Sequence, residues 1–189
     1  MDIKELFIEC EAFLQGHFLL SSGKHSDGYA QCARLMMHPD KAKIAFEMLK
    51  DQVKDLGIEV VVGPAIGGII PSYELASQLN VLSVFTERED NVMTLRRGFT
   101  IEKGQKAIIS EDVVTTGKSS LETIRAIEEY GVEVVGISCL VNRSGKKDVE
   151  GYPIFSALEV DIATYDKEEC PLCKEGIPLV KPGSRKQDL

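Results

Sequence analysis

The sequence has no apolar run long enough to cross a bilayer. Its longest, Val60 to Ile70, is broken by Gly63, Pro64, Gly67 and Gly68 and falls far short of the ~20 residues a spanning helix requires. It has no excess of positive charge either. Its 30 acidic and 22 basic residues leave a net charge of -8, which argues against a nucleic-acid-binding function unless the cations gather on one patch. No membrane and no nucleic acid is therefore expected as a partner. The start, Met1-Asp2-Ile3-Lys4-Glu5, lacks the basic residues and apolar stretch of a secretory signal, so a cytoplasmic location is expected. Cysteines that pair off by number are missing too. The five, Cys10, Cys32, Cys139, Cys170 and Cys173, are odd in number and scattered, as reduced thiols are, and the sequon Asn142-Arg143-Ser144 is then fortuitous. No repeat, low-complexity tract or linker divides the 189 residues, so 1–189 is expected to form a single domain.

What is present is the alternation of helix and strand. Ile3, Leu6, Phe7, Cys10, Phe13 and Leu14 recur at three- and four-residue steps, which predicts a helix ending near Gly16. Residues 17–34 show no clean period. Pro39 suits a first helical position, and Ala42, Ala45, Phe46, Leu49 and Val53 continue one face to a stop at Gly57. Short β-branched runs follow at 60–62, 81–85, 107–109 and 132–141, with helices predicted at 69–79 and 119–130, the latter presenting Leu121, Ile124, Ile127 and Tyr130 on one side. This is α/β grammar: a central, mostly parallel sheet flanked by helices, because parallel neighbours need crossover connections. The tail from Tyr165 onward reads as an irregular surface segment.

The most informative stretch runs from Lys106 to Ser120. An apolar strand delivers Glu111 and Asp112 at its carboxyl end, and Val113, Val114, Thr115, Thr116, Gly117, Lys118 and Ser119 lead into a helix with a Ser119-x-x-Glu122 capping-box pattern. Free amides at a helix start, with threonine and serine hydroxyls beside them, suit a phosphate. Carboxylates suit sugar hydroxyls, and lie well for a Mg²⁺ that neutralises a second phosphate group. The plainer possibility is that the acids are turn and cap residues. A Walker A loop is excluded by spacing, since the glycine it needs five residues before Gly117 is Asp112. Gly63, Gly67 and Gly68 lack dinucleotide-fingerprint spacing. They form a candidate pyrophosphate cradle, although close helix packing explains glycines there equally well.

These residues resemble the type I phosphoribosyltransferases, and within them those that use orotate. The similarity is carried by 16–27 (Gly-His-Phe-Leu-Leu-Ser-Ser-Gly-Lys-His-Ser-Asp), the 63–68 loop, Thr86-Glu87-Arg88-Glu89 with Met93-Thr94-Leu95-Arg96-Arg97-Gly98-Phe99, the 111–119 loop, Asn142-Arg143-Ser144-Gly145 and the Cys-Pro-Leu-Cys stretch from Cys170. The resemblance implies the type I phosphoribosyltransferase fold, with a small N-terminal hood formed by parts of 1–38 and the C-terminal region, and a flexible active-site loop. It implies transfer of ribose 5-phosphate from 5-phosphoribosyl 1-diphosphate (PRPP) to orotate, giving orotidine 5′-monophosphate and pyrophosphate in pyrimidine synthesis, with Mg²⁺ as cofactor. In that scheme Glu111 and Asp112 hold the ribose, residues 113–119 the 5′-phosphate, and Gly67 the pyrophosphate side of PRPP. Arg143 and Thr115 bind orotate. Mg²⁺ is held mainly by substrate, with Glu111 and Asp112 as protein donors. Arg88 is the cation of the 87–98 loop, which closes over the site, often that of a neighbouring subunit in a homodimer with shared active sites.

The chain departs from the pattern at Val92, where many members carry lysine, at Asn91, a frequent glycine, and at Ser21, where some have lysine. Arg96, Arg97 and Lys24 are candidate substitutes, and each is equally suited to a surface role. Cys170-x-x-Cys173 has zinc-knuckle spacing, but it is a lone pair with no histidine near it in sequence, and four ligands are needed. An ordinary reduced pair is expected, the alternative being a site completed by a second subunit. His25 is read as structural, with the substrate pocket as the alternative. The competing functions are a purine phosphoribosyltransferase, in which Arg143 meets no carboxylate, and a non-catalytic PRPP-sensing regulator.

Overall fold

Alternating burial along the central strands divides the apolar interior in two. The computed structural model describes residues 2–20 and 22–182, so Ser21 lies outside the described residues. Within β3 (Val60–Pro64), Val61 faces a cluster that contains Phe7, Phe46, Leu49 and Leu75, while Val60 and Val62 face another with Ile124 and Ile127. β6 (Lys106–Val114) repeats the device, with Ile108 on the first side and Ala107 and Ile109 on the second. A strand buried on both faces reads as a continuous apolar run, which is why these two were visible in the sequence. Helices α1 (Ile3–Glu9), α2 (Cys32–Met36), α3 (Pro39–Val53) and α4 (Ile69–Leu79) supply the first cluster, and α5 (Lys118–Glu128) supplies the second.

The main sheet has seven strands in the order β5-β4-β3-β6-β7-β9-β8, with β4 (Leu82–Glu89), β5 (Val92–Leu95), β7 (Glu133–Asn142), β8 (Asp148–Val149) and β9 (Tyr152–Glu159). The β4, β3, β6, β7 and β9 strands are parallel, and β5 and β8 add antiparallel edges. From β3 the chain moves to β4 on one side and later returns to place β6 on the other. The crevice between the carboxyl ends of β3 and β6 is thus a topological switch point, where open α/β sheets bind ligands.

A second sheet, β1-β2-β10, forms the hood from β1 (Phe13–Leu19), β2 (His25–Ala30) and β10 (Thr164–Tyr165). Here the structure corrects the expected first helix, which stops at Glu9 and not near Gly16. Glu11 takes a left-handed φ of 50°, its N–H donates to the Ile8 carbonyl, and the Ala12 N–H returns to Phe7, a helix stop that frees Phe13 and Leu14 for a strand. The tail is likewise less irregular than expected. β10 pairs with β2, α6 (Pro171–Lys174) follows, and Val180 bridges to Phe18. Tyr130 falls beyond α5 and is exposed, and the buried face of that helix is made instead by Ser120, Thr123, Ile124 and Ile127.

Candidate active site

β6 runs on to Val114, so the two acids sit within the last turns of the strand and not after it. Alternation then separates their fates. Glu111 is buried, and its Oε1 accepts a hydrogen bond from Ser120 Oγ at 3.3 Å. Asp112 Oδ1 accepts from the backbone N–H of Val113 at 2.8 Å, while Cys32 Sγ approaches its carbonyl at 3.4 Å. Burial, reinforced by the charge of Asp112, pushes the Glu111 carboxyl up to about 8. Burial also raises Asp112 above its usual value, opposed by the hydrogen bonds its carboxylate accepts from backbone N–H groups. A buried acid pair at a switch point, with Glu111 held protonated far above its usual range, is a mark of a functional site.

Beyond the pair, Glu111 and residues 113–120 line a small open pocket of about 60 Å³. The Val114 side chain is buried in the second cluster and Val113 packs on the first, so these two present only backbone to the pocket. The open part of the loop is Thr115, Thr116, Gly117, Lys118 and Ser119. The capping-box expectation fails. The cap of α5 is Gly117, at φ 75° and without a side-chain bond, and Glu122 pairs instead with Arg88 and, at 3.9 Å, with Lys118. Among the described residues only the Lys118 N–H meets a side chain there, donating to Thr116 Oγ1 at 3.3 Å, and the N–H groups that follow it at the helix start are left for a ligand. Gly117 also has no room for a side chain, because a Cβ there would stand 2.7 Å from Val149 Cγ1.

The glycines of the β3 loop divide between the two explanations that the sequence left open. Gly63 and Gly68 are packing glycines: a Cβ on Gly63 would fall 2.1 Å from the Gly68 oxygen, and one on Gly68 would fall 2.7 Å from the Ser110 oxygen. Gly67 faces the site, its missing Cβ 2.8 Å from Asp112 Oδ1. The intervening Ala65–Ile66 peptide is cis.

The 87–98 segment is a β-hairpin. β4 and β5 are joined through Asp90 and Asn91, both at positive φ (49° and 66°), a conformation that asparagine and aspartate tolerate. Arg88 pairs with Glu122 of the same chain and donates from Nη1 to the Asn91 carbonyl at 3.1 Å. Arg97 grips Glu87 through two hydrogen bonds of 3.2 and 3.0 Å, and Arg96 reaches Glu89 at 3.2 Å. Arg96 and Arg97 are thus engaged along the hairpin itself. Lys24 pairs with Asp166 at 3.2 Å. Arg143 begins the turn after β7, with its backbone N–H on the Val114 carbonyl at 2.8 Å. Its Nε is buried without a hydrogen-bond partner among the described residues, and burial lowers the guanidinium's affinity for its proton while Tyr29 and Asp27 of the hood oppose this.

Sequence reasoning passed over Ser120 and Cys32, which hold the acid pair from behind, and read His25 as structural without bringing His17 beside it. These two lie together, with His17 Nε2 and His25 Nδ1 2.8 Å apart. Cys170 and Cys173 adjoin them, away from the residues that line the phosphate pocket.

The sequence matches the family described as Phosphoribosyl transferase domain over residues 37–168. It is 54% identical, over 97% of both chains, to an orotate phosphoribosyltransferase of Caldanaerobacter subterraneus subsp. tengcongensis. Among solved structures, the orotate phosphoribosyltransferase of Aeropyrum pernix matches with a TM-score of 0.68 and 25% identity over 85% of this chain and 94% of that one. The adenine phosphoribosyltransferase of Rhodothermus marinus matches with a TM-score of 0.59 and 25% identity over 70% and 86%. The fold is therefore shared, at the same 25% identity, with a structure named for a purine, and the 54% identity to the Caldanaerobacter protein carries the assignment. On that 54% identity the chain belongs to the orotate phosphoribosyltransferase family on the type I phosphoribosyltransferase fold.

Proposed function

We propose that the crevice between β3 and β6 binds PRPP and transfers its ribose 5-phosphate to orotate, yielding orotidine 5′-monophosphate and pyrophosphate for pyrimidine synthesis. The observation that carries this reading is the convergence of Asp112, Gly67 and the glycine-capped start of α5 on one edge of the sheet. The 5′-phosphate lies against the amides and hydroxyls of Thr115 to Ser119, where the helix dipole favours negative charge. Asp112 and Glu111 accept the ribose hydroxyls. A protonated Glu111 also donates, so near neutrality the pair carries one charge in place of two. Departure of pyrophosphate builds positive charge on the ribose ring, and a fixed carboxylate beside the ring stabilises it without reorganisation.

Gly67 admits the pyrophosphate close to backbone, and Arg88, released from Glu122, is the cation that clamps it. Arg143 takes the orotate carboxylate, a task for a planar guanidinium, and its partnerless Nε supports this reading. Thr115 touches the base. Adjacent carboxylates are hard oxygen donors that fit Mg²⁺, so Glu111 and Asp112 would hold it together with the substrate's phosphates. When bound, it neutralises charge on the leaving group. The cytoplasm is the compartment we infer, supported by five free thiols, and no helix of the described residues is long and apolar enough to cross a membrane.

A homodimer with shared sites follows if the 87–98 hairpin serves a neighbour. Mixing Arg88→Ala chains with Asp112→Asn chains is expected to restore activity through one intact site per heterodimer; no recovery assigns the arginine to its own chain. The decisive assay offers orotate, adenine, hypoxanthine and uracil with PRPP and Mg²⁺. Consumption of orotate alone is expected. Consumption of a purine in its place, or PRPP binding with no base consumed, overturns the assignment.

A further inference from the structure

Four side chains from opposite ends of the sequence meet in the hood. His17 lies on β1, His25 on β2, and Cys170 and Cys173 flank the start of α6. One donor atom from each, His17 Nε2, His25 Nδ1 and the two Sγ atoms, fall within 4.8 Å of one another. Cys170 Sγ is 3.5 Å and Cys173 Sγ 3.7 Å from His17 Nε2, and Cys173 Sγ is 3.3 Å from His25 Nδ1. We propose that these four residues form a structural zinc site that fastens the C-terminal segment to the N-terminal hairpin.

Geometry supports the ion. Tetrahedral zinc with bonds of roughly 2.3 Å to sulfur and 2.0–2.1 Å to nitrogen places neighbouring sulfur and nitrogen ligands about 3.5 Å apart. Three of the four sulfur–nitrogen separations, 3.3, 3.5 and 3.7 Å, bracket that value, and the fourth lies within 4.8 Å. The two nitrogens, at 2.8 Å, are at N–H···N distance and open by about half an ångström when a cation replaces the shared proton. Two sulfurs and two imidazole nitrogens in a closed set of four are the donors of structural zinc and leave no position for substrate.

The surroundings prepare the ligands. His17 Nδ1 is 2.7 Å from the Ile177 carbonyl oxygen. A carbonyl can only accept, so the proton sits on Nδ1 and the lone pair of Nε2 points into the cluster; such outer hydrogen bonds fix the tautomer of metal-bound histidines. His25 then ligates through Nδ1, with its proton on Nε2. Binding to two thiols and two neutral imidazoles releases two protons, one from each sulfur, and two thiolates against a divalent cation leave the site neutral. His17, His25 and Cys170 are buried, and neutrality removes the cost of placing charge there. The site also has work to do. The segment after β9 meets the hood through the pairs Thr164–Ser26 and Tyr165–His25, the Phe18–Val180 bridge, and side-chain bonds from Ser26 Oγ to the Ala163 carbonyl and between His17 Nδ1 and the Ile177 carbonyl. A metal ligated from both sides adds a bonded cross-link to these contacts.

The test uses the full chain, produced without a histidine tag in zinc-containing medium. Elemental analysis is expected to find about one zinc per chain, bound by four protein ligands. Cobalt replacing it is expected to give the intense visible absorption of tetrahedral Co²⁺ with thiolate charge-transfer bands. Cys173→Ser, at the exposed ligand, is expected to lose those bands and to weaken zinc binding at least about tenfold, and His25→Ala to do the same. Chelation is expected to open the segment after Glu159 to protease before the rest of the chain. Reduced protein that carries no zinc and gives no tetrahedral cobalt spectrum overturns the site. So does a Cys170–Cys173 disulfide as the resting state, or a Cys173→Ser chain with the parent's zinc affinity. Zinc content and the cobalt spectrum are read on the unaltered chain, so the proposal stays open to refutation even if both variants fold poorly.

Discussion

The carboxyl edge of the sheet and the hood reach comparable chemical density by opposite routes. At the sheet edge the chemistry is contiguous: Glu111 through Ser120 is one strand end, one loop and the start of one helix, so the chain order is nearly the spatial order. In the hood, His17 and Cys170 are 153 positions apart, yet their donor atoms stand 3.5 Å apart. A contiguous site is positioned by local backbone geometry. A dispersed one is positioned only after the tail has paired with the hairpin, so it reports on the whole fold. Perturbing the first should therefore cost catalysis with little stability, and perturbing the second should cost attachment of the hood.

The largest effect is expected for Asp112→Asn, which removes a carboxylate from beside the developing ribose charge while keeping its shape and its bond to Val113. A fall in kcat of about 10²–10³ is expected, the scale for losing one preorganised electrostatic contact, with the melting temperature little changed. Equal losses of turnover and stability would place Asp112 among the packing residues. Gly67→Ala offers a second route to the same carboxylate, because its Cβ would press on Asp112 Oδ1 from 2.8 Å.

Glu111 comes next, because its effect is read in stability and carries a defined sign. The folded chain holds the Glu111 proton until about pH 8, whereas an ordinary glutamate releases it at 4.5. Between those values the folded state binds one proton more than the unfolded state, so stability is highest below the lower value and falls as pH rises towards the upper one. Glu111→Gln keeps an acceptor for Ser120 and abolishes the titration. It is expected to flatten the decline and to be more stable than the parent above pH 8 by on the order of 2 kcal/mol. Denaturant midpoints measured across the interval check this, and parallel slopes for the two proteins would show that Glu111 is not the titrating group.

The sheet and its site were legible because their signals are local. Fully buried strands are apolar runs, Pro39 and Gly57 bracket α3 and its short continuation, and an acid pair before a Thr-Thr-Gly loop needs no distant partner to be recognised. The hood was opaque for a physical reason. A bulge between Gln15 and Phe18, with Gly16 at φ 156°, breaks the alternation of β1, so neither face keeps a period of two. The strand β9 escaped because Pro153 and Ser156 interrupt its apolar character. The capping-box pattern at Ser119 misled because Glu122 is drawn to Arg88. The histidines were separated from the cysteines by most of the chain, and no spacing rule spans that distance.

Arg143→Ala tests the junction between the two regions, since Arg143 stands at the sheet edge with Tyr29 and Asp27 of the hood bearing on it. Loss of a charge-assisted bidentate contact is worth about 1.5–3 kcal/mol for each hydrogen bond. The KM for orotate is expected to rise at least tenfold, with the KM for PRPP changed much less. A uniform rise in both would assign the arginine to general architecture.

The smallest effect is expected at an exposed ion pair between the β1–β2 hairpin and the tail. Lys24 and Asp166 meet at 3.2 Å with side chains 48% and 62% exposed, so water and salt screen the pair, and exposed pairs of this kind contribute about 0.2–1 kcal/mol. Lys24→Ala is therefore expected to leave the melting temperature and the protease resistance of the tail almost unchanged, and added salt to do the same. The contrast with chelation is what matters. If Lys24→Ala frees the tail as readily as metal removal does, the hood is held by surface charge. If only chelation frees it, the attachment lies in the four ligands, three of them buried and Cys173 exposed, held by bonds to the metal that salt does not screen.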